Sequence, residues 1–256
     1  MIKLRRPALT WLFDLDNTLH DASHAIFPAI NANMNAYMAQ VLGRDGVPAD
    51  APTVDAARLD YWRRYGATLL GVVKHHDVRA EDFLREAHRF DDLRQMIRAE
   101  RGLGRMLTRL PGRKILLTNA PRRYSREVVR HLGLHRHFAR HIPIEAMHVH
   151  RQLRPKPSKS LLRKLLKRER IAAQRCVLVE DTAVNLKAAK ALGLRTAWVT
   201  GYLGAAQGVS ATERTNPTKR PIYVDVKVKS IRSLAKNLRR LALPASCSDL
   251  CSPTTI

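Results

Sequence analysis

Thr10-Trp11-Leu12-Phe13-Asp14-Leu15-Asp16-Asn17-Thr18 sets a short apolar run directly before two aspartates that lie two positions apart. Thr10 to Phe13 is β-prone, and the polar residues behind it end the strand. If the extended geometry continues past Phe13, the side chains of Asp14 and Asp16 point to one face. The same pattern recurs along the chain. Lys114 to Leu117 precedes Thr118 and Asn119, Cys176 to Val179 precedes Glu180 and Asp181, and Thr196 to Val199 forms a fourth apolar run. Helical stretches separate them: Tyr124 to Leu132 stopping at Gly133, Ser158 to Lys167 after a proline turn, and Val184 to Leu192 stopping at Gly193. This alternation predicts an α/β fold, a parallel sheet covered by helices on both faces, with ligands bound beyond the carboxyl ends of the strands. Asp14, Thr118 and Asp181 all fall at such ends.

The stretch between the first strand and Lys114 breaks the alternation. It carries helix signals at Pro28 to Leu42, Val54 to Tyr65, Thr68 to His75 and Glu81 to Phe90, with Pro28 suited to a first helical turn and Gly43 to a stop. A segment this long and helical reads as an inserted subdomain rather than a loop. The expected division is a catalytic core over 1–19 and 101–243, a helical cap over 20–100, and a flexible tail over 244–256. Within the second half of the core, Gly204 to Pro221 reads as a loop, Ile222 to Val228 as a strand and Ile231 to Leu241 as a basic helix.

At 256 residues and 45% hydrophobic, the chain can bury one substantial core, and no apolar run approaches the length needed to cross a bilayer. Met1 to Arg6 is basic, but the apolar stretch after it is too short for a signal peptide, so the chain reads as cytoplasmic. Cys176, Cys247 and Cys251 lack the partners of a structural zinc site. The formal net charge of +24 attracts anions through the summed field. Basic residues are dispersed and aromatics form only 5% of the chain, so stacking platforms for nucleic acid are scarce. The charge is read as a solvated surface that draws in small anionic substrates, without dedicated nucleic-acid binding.

The chemistry follows from residue types at strand ends. A carboxylate at Asp14 is ionised at neutral pH and needs no base to attack phosphorus, but its charge must approach a phosphate dianion. Mg²⁺ meets that need through oxygen ligands, with Asp181 as the distant partner and Glu180 supporting it. Thr118 and Asn119 offer a hydroxyl, an amide and backbone N–H groups to phosphoryl oxygens. Lys156 adds a point charge, its backbone restricted by Pro155 and Pro157. Asn185 either bonds within the site or faces solvent on the helix after Asp181. Singly, Asp14, Asp16 and Thr118 also suit turns and caps; the ordered set is what points to phosphoryl transfer.

Asp-Leu-Asp-Asn-Thr at 14–18, Leu-Thr-Asn at 117–119, Arg-Pro-Lys-Pro at 154–157 and Val-Glu-Asp-Thr-Ala-Val-Asn at 179–185 resemble the haloacid dehalogenase superfamily in type, order and spacing. The resemblance covers most of residues 8–241. It implies a Rossmann-like core with an inserted helical cap, Asp14 as nucleophile, and Asp16 as general acid and then base. It also implies Mg²⁺ held by Asp14, the Asp16 carbonyl and Asp181, with Thr118 and Lys156 on the phosphoryl group. A dehalogenase would lack the second aspartate, so Asp16 points to phosphatase chemistry.

The core reads phosphate and the cap must read the alcohol. Tyr61-Trp62-Arg63-Arg64-Tyr65-Gly66 and Gly71-Val72-Val73-Lys74-His75-His76 resemble the cap of pyrimidine 5'-nucleotidases in that superfamily. The resemblance implies a nucleotide substrate, with Tyr65, Lys74 and His75 as cap candidates. The rival readings are a phosphoglycolate- or sugar-phosphate-type phosphatase and, from another class, an inactive basic nucleic-acid-binding protein.

Overall fold

The computed structural model describes residues 9–203 and 219–242. The expected tail over 244–256 and most of the expected loop over 204–221 lie outside the described residues. Eight strands are described: β1 (Thr10–Phe13), β2 (Arg113–Leu117), β3 (Arg140–Ile142), β4 (His148–Val149), β5 (Gln152–Leu153), β6 (Cys176–Glu180), β7 (Arg195–Val199) and β8 (Val226–Val228). Six of them form one parallel sheet in the order β3-β2-β1-β6-β7-β8, while β4 and β5 pair as a small antiparallel hairpin. The four apolar runs read from the sequence are β1, β2, β6 and β7. β1 is completely buried between β2 and β6, with Phe13 opposite both Leu116 and Val179. That register brings the residues after three adjacent strands to one end of the sheet.

Strands buried on both faces need apolar side chains in both directions, which is why these runs show no alternation. Trp11, Phe13, Leu116, Val177 and Val179 pack into one core cluster; Leu12, Ile115, Leu117, Leu178 and Trp198 pack into the other. The second cluster takes in Leu161, Leu162 and Leu165 from α8 (Lys159–Glu169) and Leu186 from α9 (Ala183–Lys190).

Between β1 and β2 the chain is helical, as expected: α1 (Ile26–Leu42), α2 (Ala51–Tyr65), α3 (Thr68–His75), α4 (Ala80–Ala87), α5 (Leu93–Met96) and α6 (Leu103–Arg109). Local signals set their ends. Asp50 caps α2 by accepting from the Thr53 N–H, and Gly66 ends it at φ 79°, a left-handed conformation that suits glycine. α7 (Arg122–His131) follows β2 and buries Tyr124, Ser125, Val128 and Val129, leaving its arginines outside.

Three expectations shift. β3 and the β4–β5 hairpin were not read from the sequence, because two- or three-residue strands carry too little pattern to stand out. The strand expected over 222–228 shrinks to β8; Ile222 is almost wholly exposed, and the register with β7 begins only at Val226. The helix expected over 231–241 starts as a 3-10 segment, Ile231–Asn237, and becomes α10 only at Leu238–Ala242.

Gly112 stands where β2 starts beside β1. It has φ 90°, and a Cβ there would overlap the Leu9 carbonyl oxygen, which accepts from the Arg113 N–H. Gly112→Ala should therefore lower unfolding stability by about 2 kcal/mol or more. A denaturant midpoint unchanged from the parent would show that β1 and β2 do not need this close approach.

Candidate active site

Asp14 follows β1 and is 6% exposed. One of its oxygens accepts from the Lys156 ammonium at 2.6 Å and the other from the Thr18 hydroxyl at 3.1 Å. Its backbone N–H donates to Val179 C=O, which fixes it against β6. The turn that follows is held by Asn17, buried at φ 56°, whose side-chain oxygen accepts from the N–H groups of Ala22 and Ser23. Asparagine tolerates that left-handed geometry better than most residues because of its short polar side chain.

Lys156 arrives from a loop and is buried to within 6%. Its Nζ lies 2.6 Å from Asp14 and 2.8 Å from Glu180. Asn119 holds the lysine backbone at both ends, donating to Lys156 C=O at 3.1 Å and accepting from Lys156 N–H at 3.0 Å. The side-chain amide assigned to phosphate from the sequence is thus engaged with the lysine loop, and Asn119 acts on the site by placing Lys156. Thr118, at the end of β2, is buried; its hydroxyl accepts from the Ala120 N–H.

The third wall comes from β6. Glu180 is 1% exposed and accepts from Lys156, from Asn185 at 3.0 Å and from the Thr182 N–H at 3.2 Å. Asn185 therefore faces inward from α9. Asp181 accepts from the Thr182 hydroxyl at 2.9 Å, and its backbone carbonyl accepts from the Trp198 indole at 2.8 Å. Asp14, Glu180 and Asp181 are all buried, with one ligand oxygen from each within 4.8 Å of the others.

Three carboxylates around one ammonium leave excess negative charge in a low-dielectric site. Burial, and then the charge of Glu180, push the Asp14 carboxyl up from 3.8 to about 7, against the pull of Lys156. Burial likewise raises Glu180 to about 7. Burial works against the Lys156 charge, but Asp14 and Glu180 outweigh it and hold the ammonium above its ordinary value. An all-oxygen donor set with unbalanced negative charge fits a hard divalent cation such as Mg²⁺.

Asp16 is placed differently. Its Oδ1 meets His20 Nε2 at 2.8 Å and accepts from the Tyr124 hydroxyl at 2.5 Å. Burial would raise its carboxyl, but the hydrogen bond and charge of His20, with the bond from Tyr124, hold it below the usual value. The side chain of Asp16 is outside the acidic cluster. Neither His20 nor Tyr124 was singled out from the sequence. His20 sits four residues from Asp16, a spacing that offers a clue; Tyr124 lies 108 residues away and offers none.

Of the cap candidates, Tyr65 and Lys74 line a cavity of about 570 Å³ with Leu84, Ile144, Glu145 and Arg154. His75 does not line it; its Nε2 lies 2.6 Å from the Tyr65 hydroxyl, and Lys74 Nζ lies 4.9 Å from the Tyr65 ring centroid. Tyr61 is core: its ring packs so closely on Gly71 that a Cβ there would collide with it. The cavity wall over 144–154 was not expected from the sequence, and Asp14, Asp16, Thr118, Lys156, Glu180 and Asp181 are not among the residues that line this cavity. A larger groove of about 920 Å³ beside α7 is lined mainly by arginines and contains none of the candidate catalytic residues.

A model of haloacid dehalogenase-like hydrolases matches residues 10–193, spanning all of these strand-end residues. The chain belongs to that family. Solved structures agree in fold. A phosphatase of this superfamily from Thermococcus onnurineus is 15% identical with a TM-score of 0.59, covering 90% of this chain and 97% of its own. A haloacid dehalogenase-like hydrolase from Bacteroides fragilis is 18% identical with a TM-score of 0.56, covering 88% and 99%. An L-2-haloacid dehalogenase from Xanthobacter autotrophicus, with chloropropionic acid covalently bound, is 15% identical with a TM-score of 0.52, covering 90% and 98%. Phosphatase and dehalogenase both appear among these neighbours, so the fold alone does not choose the chemistry. Among the described residues, no helix is long and apolar enough to cross a membrane.

The raised Asp14 carboxyl has a sign that can be measured. The folded protein retains its proton where the unfolded chain has lost it, so stability falls as pH rises from 3.8 to about 7 and stays reduced above that. Glu180 contributes in the same direction. In protein stripped of divalent cations, Asp14→Asn should flatten this fall and melt higher than the parent above pH 7. Thermal unfolding across the pH range checks it, and an identical pH dependence in the two proteins would contradict the charge balance described.

Proposed function

We propose that this hydrolase is a Mg²⁺-dependent phosphomonoesterase that works through an aspartyl-phosphate on Asp14, with pyrimidine nucleoside 5'-monophosphates as its substrates. The observation that carries the reading is the pairing of two differently held carboxylates. Asp14 is packed against Lys156 and the acidic cluster, whereas Asp16 is drawn aside by His20 and Tyr124. Without metal, Asp14 is the carboxyl held up and Asp16 the one held down; a Mg²⁺ ion beside Asp14 would return it to the anion that attacks phosphorus, while Asp16, outside the acidic cluster, is the carboxylate left to exchange protons with the leaving group and water.

In the first half-reaction an Asp14 oxygen bonds to phosphorus as the ester oxygen departs, taking its proton from Asp16. In the second, Asp16 removes a proton from water, whose oxygen displaces Asp14 from phosphorus and releases inorganic phosphate. Lys156 offsets charge on the phosphoryl oxygens and the Thr118 hydroxyl orients them. Asp14, Asp181 and the Asp16 backbone carbonyl would hold the Mg²⁺, with Glu180 supporting, and the ion would supply the positive charge that lets a carboxylate meet a phosphate.

Residues 20–100 are proposed as the cap that selects the alcohol. Tyr65 and Lys74 on one wall of the cavity, with Glu145 and Arg154 on the other, supply an aromatic surface and hydrogen-bonding groups of the kind that read a nucleobase. Held by His75, Tyr65 presents a fixed ring. The arginines along α7 add to a field that concentrates phosphorylated substrates.

Phosphate release from a panel of nucleotides, phosphoglycolate and sugar phosphates, with and without Mg²⁺, tests the reading. UMP and CMP should turn over better than AMP and GMP, and only with the metal. A preference for phosphoglycolate would replace the substrate assignment. Asp14→Asn should lose at least about 100-fold in kcat, and Asp181→Ala should raise the Mg²⁺ concentration needed for activity. Tyr65→Ala should change the UMP to AMP ratio in kcat/KM more than it changes turnover of an aryl phosphate. Equal losses on all three substrates would remove Tyr65 from specificity.

A further inference from the structure

Two side chains with no part so far in the reaction converge on a single atom. His20 is fully buried, and its Nε2 lies 2.8 Å from Asp16 Oδ1. The Tyr124 hydroxyl, from the first turn of α7, donates to the same oxygen at 2.5 Å. Among the described residues, Asp16 Oδ2 has no hydrogen-bond partner, so all the protein's donors to this carboxylate fall on one side of it.

The hydrogen positions follow from the surroundings. Tyr124 can satisfy Oδ1 only as a donor if the carboxylate is ionised, and His20 can approach the same oxygen only through an N–H. His20 Nδ1 is buried without a partner. With the hydrogen on Nε2, Nδ1 is left as a bare lone pair, and the opposite tautomer would both strand a buried N–H and face two acceptors across 2.8 Å. The ring is therefore a donor to Asp16.

Tyr124 is in turn held by its neighbours. Its ring lies 5.2 Å from that of His88 and 5.7 Å from that of Phe90, both just beyond α4. His88 is itself fixed, with Nδ1 2.9 Å from Leu84 C=O. Rotation of the Asp16 carboxylate would break two buried hydrogen bonds together, and neither donor is free to follow it.

We propose that His20 and Tyr124 are positioning residues for Asp16: by occupying Oδ1 they leave Oδ2 as the one oxygen that gives a proton to the leaving group and later takes one from water. The proposal rests on the aspartyl-phosphate reading above. Oδ1, already accepting twice, has no room for the proton that general acid catalysis requires, so the transfer must run through Oδ2. The second step uses the same oxygen in reverse, since the departing alcohol and the incoming water occupy the same side of phosphorus in the two displacements.

The test is leaving-group dependence under single-turnover conditions, with full-length protein and Mg²⁺. A nitrophenolate leaves without needing a proton, whereas a phenolate depends on one. Tyr124→Phe, which removes only the hydroxyl, should slow phosphorylation by phenyl phosphate about 10-fold or more and by nitrophenyl phosphate less than about 3-fold. Hydrolysis of the phosphoenzyme should slow equally for both, because the intermediate is the same. His20→Leu should behave alike, and His20→Gln, whose amide can return a donor to Oδ1, should recover part of the phenyl phosphate rate. Phosphorylation rates that fall equally for the two esters, or do not fall, would overturn the positioning role. Asp14→Asn measured alongside keeps the two ideas apart: persistent turnover there removes the aspartyl-phosphate reading itself, whereas an inactive Asp14→Asn with no leaving-group effect in Tyr124→Phe and His20→Leu removes only the positioning.

Discussion

One buried ammonium holds this site together. Lys156 Nζ lies within 2.8 Å of both Asp14 and Glu180, which stand at the ends of neighbouring strands whose parallel pairing brings their carboxylates to one place. Without a cation between them, two ionised carboxylates at this depth would repel each other in a medium that screens poorly. The lysine comes from outside the sheet, so its placement needs support of its own, and the two hydrogen bonds from Asn119 supply it. The strand ends bring the acids together; the Asn119 clamp brings the counter-charge. Even so, burial first, and then the neighbouring carboxylates that outnumber the lysine, raise the Asp14 and Glu180 carboxyls. A site left short of positive charge is one that a metal ion would balance, as the proposed mechanism requires.

Much of this was legible because parallel α/β architecture couples local pattern to tertiary position. A short apolar run followed by acids reads as a buried strand and its carboxyl end, and the sheet puts such ends side by side. Asp14, Thr118, Glu180 and Asp181 could be found that way. What stayed hidden depends on contacts between distant segments. Nothing near Tyr124 in the chain announces that its hydroxyl reaches Asp16, since a tyrosine in the first turn of an amphipathic helix reads as core. Asn119 was read from its position at a strand end as a phosphate ligand, but its geometry serves the Lys156 backbone. Asn185, open from sequence, is settled by Glu180, whose buried oxygen needs the donor it offers.

The specificity side is less legible for a related reason. Tyr61 and Tyr65 belong to one aromatic cluster in the sequence, yet one packs against Gly71 in the core and the other lines a cavity. Helical spacing alone does not separate them, because the relevant face is set by where α3 crosses α2. The opposite wall, over 144–154, comes from a short hairpin with too few residues to show a pattern. The walls of the proposed specificity cavity thus lie where sequence periodicity is weakest, and the strand-end carboxylates where it is strongest.

In the proposed mechanism Asp14 becomes covalently phosphorylated. Acid quenching of the enzyme within its first turnover of a substrate carrying labelled phosphate, followed by peptide mapping, tests it directly. The expected result is acid-stable, alkali-labile label on the peptide that contains Asp14, absent in Asp14→Asn. Label on another residue, or phosphate released in the first turnover with none bound to the protein, would contradict it.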